Sequence, residues 1–277
     1  MESVSTWLAS LPPLTAGVIA SLAAGLAAGV GALPVLFVDR ASRLLQDVLL
    51  GSAAGIMLGA TCFSLVLPGL GIAAEKLGGA MAGGVLIGFG MMAGALALWA
   101  AHQSIPHEHV FKGREGMGAD ATVSLVSLRR IWLFVLAITL HNIPEGLAVG
   151  VAVAGGGSDD GLAVTIGIFL QNLPEGFVVA LALLPLGYDR ITAIGIALAT
   201  GAVETVGGFI GAGAVSLSQA VLPWALAGAG GAMLFVISHE VIPETHANGY
   251  ETPATFGVVS GFVVMMVLDV GLGVIGT

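Results

Sequence analysis

Long apolar runs separated by brief polar interruptions divide the chain into eight segments, 14–38, 48–72, 79–101, 131–154, 161–184, 191–214, 220–242 and 254–276. A helix needs about 20 apolar residues to cross the hydrocarbon core of a bilayer, and every segment reaches that length. The pattern predicts an all-α polytopic membrane protein with eight transmembrane helices, built as a single domain over 1–277. Connections are short except 102–130, which contains IPHEHVFKGREGMGAD and reads as a polar, His-containing loop. The opening MESVSTWLASLPP lacks the basic start of a cleavable signal, so the first segment is expected to remain a membrane helix.

Two segments are interrupted in the middle by the same phrase. Residues 141–150 read HNIPEGLAVG and residues 171–180 read QNLPEGFVVA. His141 and Glu145 stand four apart, as do Gln171 and Glu175, so each pair shares one helix face. Pro144 and Pro174 cannot donate to the carbonyls of Leu140 and Leu170, which predicts freed acceptors and a kink in each helix. Ionisable groups at membrane depth are expensive and mark functional sites.

The basic residues orient the chain. Arg40, Arg43, Lys112, Arg114, Arg129, Arg130 and Arg190 fall in the first, third and fifth loops, and only Lys76 falls opposite. Positive charge collects on the cytoplasmic side, so both termini are expected outside and 102–130 inside.

Depth can then be compared between segments. Folding the fourth and fifth as an antiparallel hairpin sets His141 level with Glu175 and Glu145 level with Gln171. A similar fold between the fifth and sixth sets Glu204 level with Asn172. At 1.5 Å per residue, Met57 lies ~12 Å and His141 ~15 Å from the inner end of their helices. Every ionisable group of the fourth, fifth and sixth helices therefore gathers near the midplane. Three carboxylates in low dielectric repel unless protonated or bridged by a cation, and no Lys or Arg stands at that depth. Imidazole, carboxylate and carboxamide without thiolate form a ligand set for a divalent metal.

Composition sharpens this picture by exclusion. Hydrophobic residues make up 57% and charged residues 9%, far below the quarter typical of soluble domains. The net charge of −9 carries no basic patch, which excludes a nucleic-acid partner. Cys62 is the one cysteine, so no intramolecular disulfide forms. Among 43 glycines, the spacings Gly25/Gly29, Gly51/Gly55/Gly59, Gly84/Gly88, Gly207/Gly211 and Gly257/Gly261 predict close helix packing.

Three outlying groups have two readings each. His239 and Glu240, with Glu244 and His246 beyond, suit either a polar helix end or transient metal capture. The same holds for His102, His107, Glu108 and His109 after the third segment. Asp269, about two turns from the end of the last helix, suits either a water-facing terminus or a cation-attracting outer vestibule.

HNIPEG in the fourth helix, QNLPEG in the fifth, the His-bearing third loop and SHEVIPETH after the seventh resemble the ZIP family of divalent-metal transporters, particularly its Bordetella-type bacterial members. The resemblance implies import of zinc, or of cadmium, iron or manganese in some members, across a bacterial inner membrane, with no prosthetic group. It implies one metal site of Met57, His141, Glu145 and Glu175, and a second of Asn142, Glu145, Gln171, Asn172, Glu175 and Glu204. Asp269 would stand at the entrance, and His239, Glu240, His107 and His109 on the exit route. The family fold sets helices one, four, five and six against two, three, seven and eight, commonly as a homodimer with elevator-like movement. Most members carry His where this chain has Gln171, and relatives with Gln there often follow it with Asp rather than Asn172. Two neutral amides predict a weaker second site.

Other classes fit the residues poorly. An intramembrane metalloprotease needs H-E-x-x-H, and HEVIP at 239–243 ends in Pro243. A carboxylate-bridged di-metal enzyme needs two Glu-x-x-His motifs, which the central phrases do not supply. A proton-coupled carrier of an organic anion lacks an intramembrane Arg or Lys to hold its substrate.

Overall fold

The structure is a computed structural model that describes residues 2–38, 40–103, 125–155 and 158–271. Among these, eight helical spans are long and apolar enough to cross a membrane. They are α1 (Pro13–Leu36), α2 (Arg43–Leu77), α3 (Ala80–Ala101), α4 (Phe134–Gly155), α5 (Gly161–Leu186), α6 (Arg190–Leu217), α7 (Leu222–Thr245) and α8 (Glu251–Gly271). A short helix, Glu2–Ala9, precedes α1. The described residues contain no strand. The chain is an all-α polytopic membrane protein.

Several boundaries differ from expectation. The helix containing α4 begins at Leu125, so 125–130 are helical rather than part of the loop. Capping starts α2 early, because the Ser42 hydroxyl accepts from the Leu45 N–H at 3.2 Å and satisfies an orphan donor. Likewise Asp189 caps α6 by accepting from the Thr192 N–H at 3.0 Å. Hydrogen bonds from Thr192 hold the exposed Asp189 carboxyl below its ordinary range.

The helical irregularities fall away from the two central prolines. Helices Leu125–Gly155 and Ser158–Leu183 run without interruption through Pro144 and Pro174. By contrast α2 widens into a π-helical stretch at Ala60–Val66, just before Pro68, and α7 does so at Ile237–Val241, just before Pro243. A proline lacks its N–H and crowds the carbonyl four residues earlier, and a wider turn relieves that crowding. Another interruption divides α6 into Arg190–Ala202 and Glu204–Leu217, which places Glu204 in the first turn of a new helix.

Packing follows small residues. α1 lies against α4, α5 and α6, while α2 pairs with α8 and α3 with α7. These groups meet where α2 contacts α5 and where α7 contacts α4. A Cβ at Gly146 would enter the Glu204 carbonyl, and one at Gly55 would enter that of Val258. Such contacts give α4–α6 and α2–α8 their closeness. Gly84 and Gly88 do not take part, since a Cβ at Gly88 meets nothing within 4 Å and one at Gly84 only the Leu70 methyl at 4.0 Å. Two cations tie the ends together. Arg190 Nη1 donates to the Leu36 carbonyl at 2.7 Å, and Lys76 Nζ donates to the Gln219 carbonyl at 2.8 Å at the opposite face. Trp132 and Tyr188 hydrogen-bond at 3.1 Å near the Arg190 face, an amphipathic pair suited to a membrane interface.

Candidate functional site

The paired phrases of α4 and α5 turn their polar side chains into the bundle. His141, Asn142, Glu145, Gln171, Asn172 and Glu175 are all buried, as are Glu204 of α6 and Met57 of α2. The helical spacing of four that joins His141 to Glu145 and Gln171 to Glu175 therefore lies along inward faces. Glu145 is in electrostatic contact with Glu175 and Glu204, and Glu175 with His141.

The amides anchor this cluster to backbone. Asn142 Nδ2 donates to the Thr200 carbonyl at 2.7 Å, in the turn before the α6 interruption. Asn172 Nδ2 donates to the Ala24 carbonyl at 3.0 Å and to Glu204 Oε1 at 2.5 Å. Many remaining polar atoms are left over. Both oxygens of Glu145, Oε2 of Glu204, Oδ1 of Asn142 and both amide atoms of Gln171 are buried with no hydrogen-bond partner among the described residues. Gln171 approaches Glu145, but not at hydrogen-bonding geometry. Buried polar groups are almost always satisfied, so this concentration of unpartnered polar atoms, most of them acceptors, sets the cluster apart from the rest of the bundle.

His141 has a partner that the sequence did not reveal. Its Nε2 is paired with Glu240 Oε2 of α7. The sequence set Glu240 near the inner end of the seventh helix and gave no sign of a contact with His141. α7 instead continues to Thr245, and its π-helical turn carries Glu240 inward while His239 is exposed and stacked on Phe235 at 5.0 Å. With His141 so engaged, no three His, Cys, Asp or Glu side chains among the described residues converge on one metal position in this conformation.

Asp269 is fully buried, not at a water-facing end. Ser64 Oγ, from the π-helical stretch of α2, donates to its Oδ1 at 2.6 Å. Ser64 gave no signal in the sequence, because a lone serine in an apolar helix ordinarily bonds its own backbone. His107 and His109 lie outside the described residues.

His141 and Glu240 line an otherwise apolar cavity of about 440 Å³ between α3, α4, α6 and α7. Its wall includes Leu98, Pro144, Leu147, Ile210 and Ala229.

Comparison with known proteins bears on this arrangement. Residues 100–269 match the family model described as ZIP zinc transporter. Over 258 residues the chain is 48% identical to zinc transporter GufA of Myxococcus xanthus, covering 93% of this chain and 99% of that protein. It is 44% identical over 252 residues to zinc transporter ZIPB of Bordetella bronchiseptica, covering 91% and 80% respectively. Human zinc transporter ZIP11 is 45% identical over 153 residues, 53% of this chain and 45% of its own.

Proposed function

The chain belongs to the ZIP zinc transporter family, and on that premise we propose that it imports zinc into the bacterial cytoplasm through the midplane cluster. The observation that carries this reading is Glu145, 1% exposed, with both carboxylate oxygens unpartnered among the described residues and Glu175 and Glu204 beside it. Uncompensated buried carboxylates cost several kcal/mol each on an order-of-magnitude basis, and no Lys or Arg of this chain falls in the middle of a span to offset them. A divalent cation would.

Met57, His141, Glu145 and Glu175 would hold one ion, and Asn142, Glu145, Gln171, Asn172, Glu175 and Glu204 a second. Sharing the two central glutamates lets an arriving ion loosen the first. Transport needs binding strong enough to enter and weak enough to leave, and neutral amides in the second set favour leaving. Glu240 competes with metal for His141, so exchange of that imidazole between carboxylate and ion would accompany passage. Asp269 would receive ions at the outer face, and His239, Glu240, His107 and His109 would serve the inner one.

Import direction rests on the excess of Lys and Arg in the odd loops. In this reading 1–277 is one transport domain of the inner membrane, working as a homodimer, with 102–130 as a cytoplasmic loop. Its relatives are transporters by name, and the chain is read as no enzyme. Zinc flux into proteoliposomes tests the proposal. Glu145→Ala should abolish flux while the purified protein stays folded. Unimpaired zinc uptake by that variant would refute the metal-site assignment.

A further inference from the structure

One buried carboxylate has no part in the pathway described so far. Asp47 stands in the second turn of α2, and Asp47, Leu50, Ala54 and Met57 follow the i, i+3, i+7, i+10 spacing of a single helix face. All four are buried. Asp47 thus shares the face of α2 that bears Met57, ~15 Å closer to the helix start.

Its surroundings are polar and fixed. Asn248, in the turn between α7 and α8, donates from Nδ2 to Asp47 Oδ1 at 3.0 Å. That turn is held by His246, whose ring hydrogen-bonds the Ile242 carbonyl, Thr245 and Thr255, each at 2.9 Å. Gly249, at φ 83°, supplies the left-handed residue that closes it. Arg43, His246 and Glu251 lie within electrostatic reach of Asp47. Arg43 Nη1 donates to Gln46 Oε1 at 3.2 Å.

Asp47 is 2% exposed, and its second oxygen, Oδ2, is buried with no hydrogen-bond partner among the described residues. A structural tie to Asn248 requires one acceptor oxygen, which a neutral amide provides equally well. Arg43 offsets part of the charge, but the buried oxygen left without a hydrogen bond is a net cost if packing is its sole purpose. The charge fits a ligand.

We propose that Asp47, held in place by Asn248, is a further cation station, where a partly hydrated divalent ion pauses between the midplane cluster and the water at the α2–α7–α8 face. This inference rests on the transport reading. One carboxylate oxygen with water ligands suits a hydrated divalent ion and binds it weakly, and the nearby Arg43 weakens it further. Weak binding is what a station next to the exit requires.

The test combines zinc uptake by proteoliposomes with zinc stoichiometry by equilibrium dialysis. Asp47→Asn retains the shape and an acceptor for Asn248. It should melt like wild type and bind midplane zinc unchanged, yet turn over about fivefold more slowly at unchanged KM. The exchange Asp47→Asn/Asn248→Asp returns one carboxylate to the same place and should recover at least half of the lost rate. Wild-type turnover by folded Asp47→Asn overturns the proposal. So does a folded exchange variant that stays slow, and so does one that cannot fold, which would assign Asp47 to packing. If Asp47→Asn itself fails to fold, the exchange variant decides. Wild type and Glu145→Ala run in parallel separate the claims, because absent zinc flux in wild type refutes the transport reading and normal zinc binding and flux in Glu145→Ala refute the midplane site, whatever Asp47 does.

Discussion

The phrases around His141 and Gln171 are near copies in sequence and unlike in surroundings. Both lie on uninterrupted helices, carry a proline before the glutamate and bury their polar residues. Yet His141 reaches α7 through Glu240, whereas Gln171 has no hydrogen-bond partner among the described residues. Asn142 holds the backbone of α6 just before its interruption, and Asn172 holds the Glu204 side chain just after it. The α4 copy therefore joins the two helix groups, while the α5 copy works within its own. Repetition of a motif fixes which side chains face inward and leaves their partners to the neighbouring helices.

The strongest way to break the comparison is to remove the glutamate that both copies face. Glu145→Ala should cut zinc uptake by about 100-fold or more, a loss of ~2.7 kcal/mol in the barrier. With its like-charge neighbours relieved, the metal-free protein should melt higher, by about 2–4 °C for each kcal/mol gained. Proteoliposome flux and thermal melting in chelator read the two effects.

His141→Gln makes the α4 copy resemble the α5 copy and tests whether position or residue matters. Uptake should fall about tenfold, equivalent to ~1.4 kcal/mol, since both the Glu240 pairing and an imidazole donor are lost. Adding Gln171→His to that variant should not restore uptake, because position 171 does not face α7. Restoration would mean the copies are interchangeable.

Gln171→His alone should tighten zinc binding about tenfold, or ~1.4 kcal/mol, by adding a nitrogen donor one turn from Glu175. Turnover should drop if release limits the rate. Unchanged affinity and stoichiometry in dialysis would remove position 171 from the second site. The smallest effect is expected in the loop, where replacing His107 and His109 by Ala should change uptake by about twofold at most, as for a rim group acting through local ion concentration. Complete loss with normal expression would instead make the loop an obligatory site.

Eight helices and the inward set from Met57 to Glu204 were readable from the chain, because hydrophobic length and four-residue spacing encode span and face. Pairing across non-adjacent helices is not encoded that way. Glu240 was set too near a helix end because the extension of α7 through Pro243 and its π-helical turn were not visible in the apolar pattern. The widened turns were hidden for a related reason. Pro144 and Pro174 sit in helices whose packing keeps them continuous, and the widened turns precede Pro68 and Pro243. Gly84 and Gly88 have the spacing of packing glycines but meet no close backbone among the described residues. Asp47 fell one residue before the predicted start of its segment, so its register with Met57 went unnoticed.

The interruption at Val203 acquires a mechanical meaning from the way α6 is fastened. Arg190 pins one end to the Leu36 carbonyl, and Gln219, just past the other end, is pinned by Lys76. Between these fastenings α6 has 28 residues, ~42 Å of helix at 1.5 Å per residue, against a hydrocarbon core of ~30 Å. A strut longer than its frame and held at both ends flexes at its joint, and here the joint adjoins Glu204. Bilayer thickness would thereby be transmitted to a cluster carboxylate. Zinc uptake should depend on acyl-chain length in reconstituted vesicles, and the dependence should lessen when Lys76→Ala frees one end.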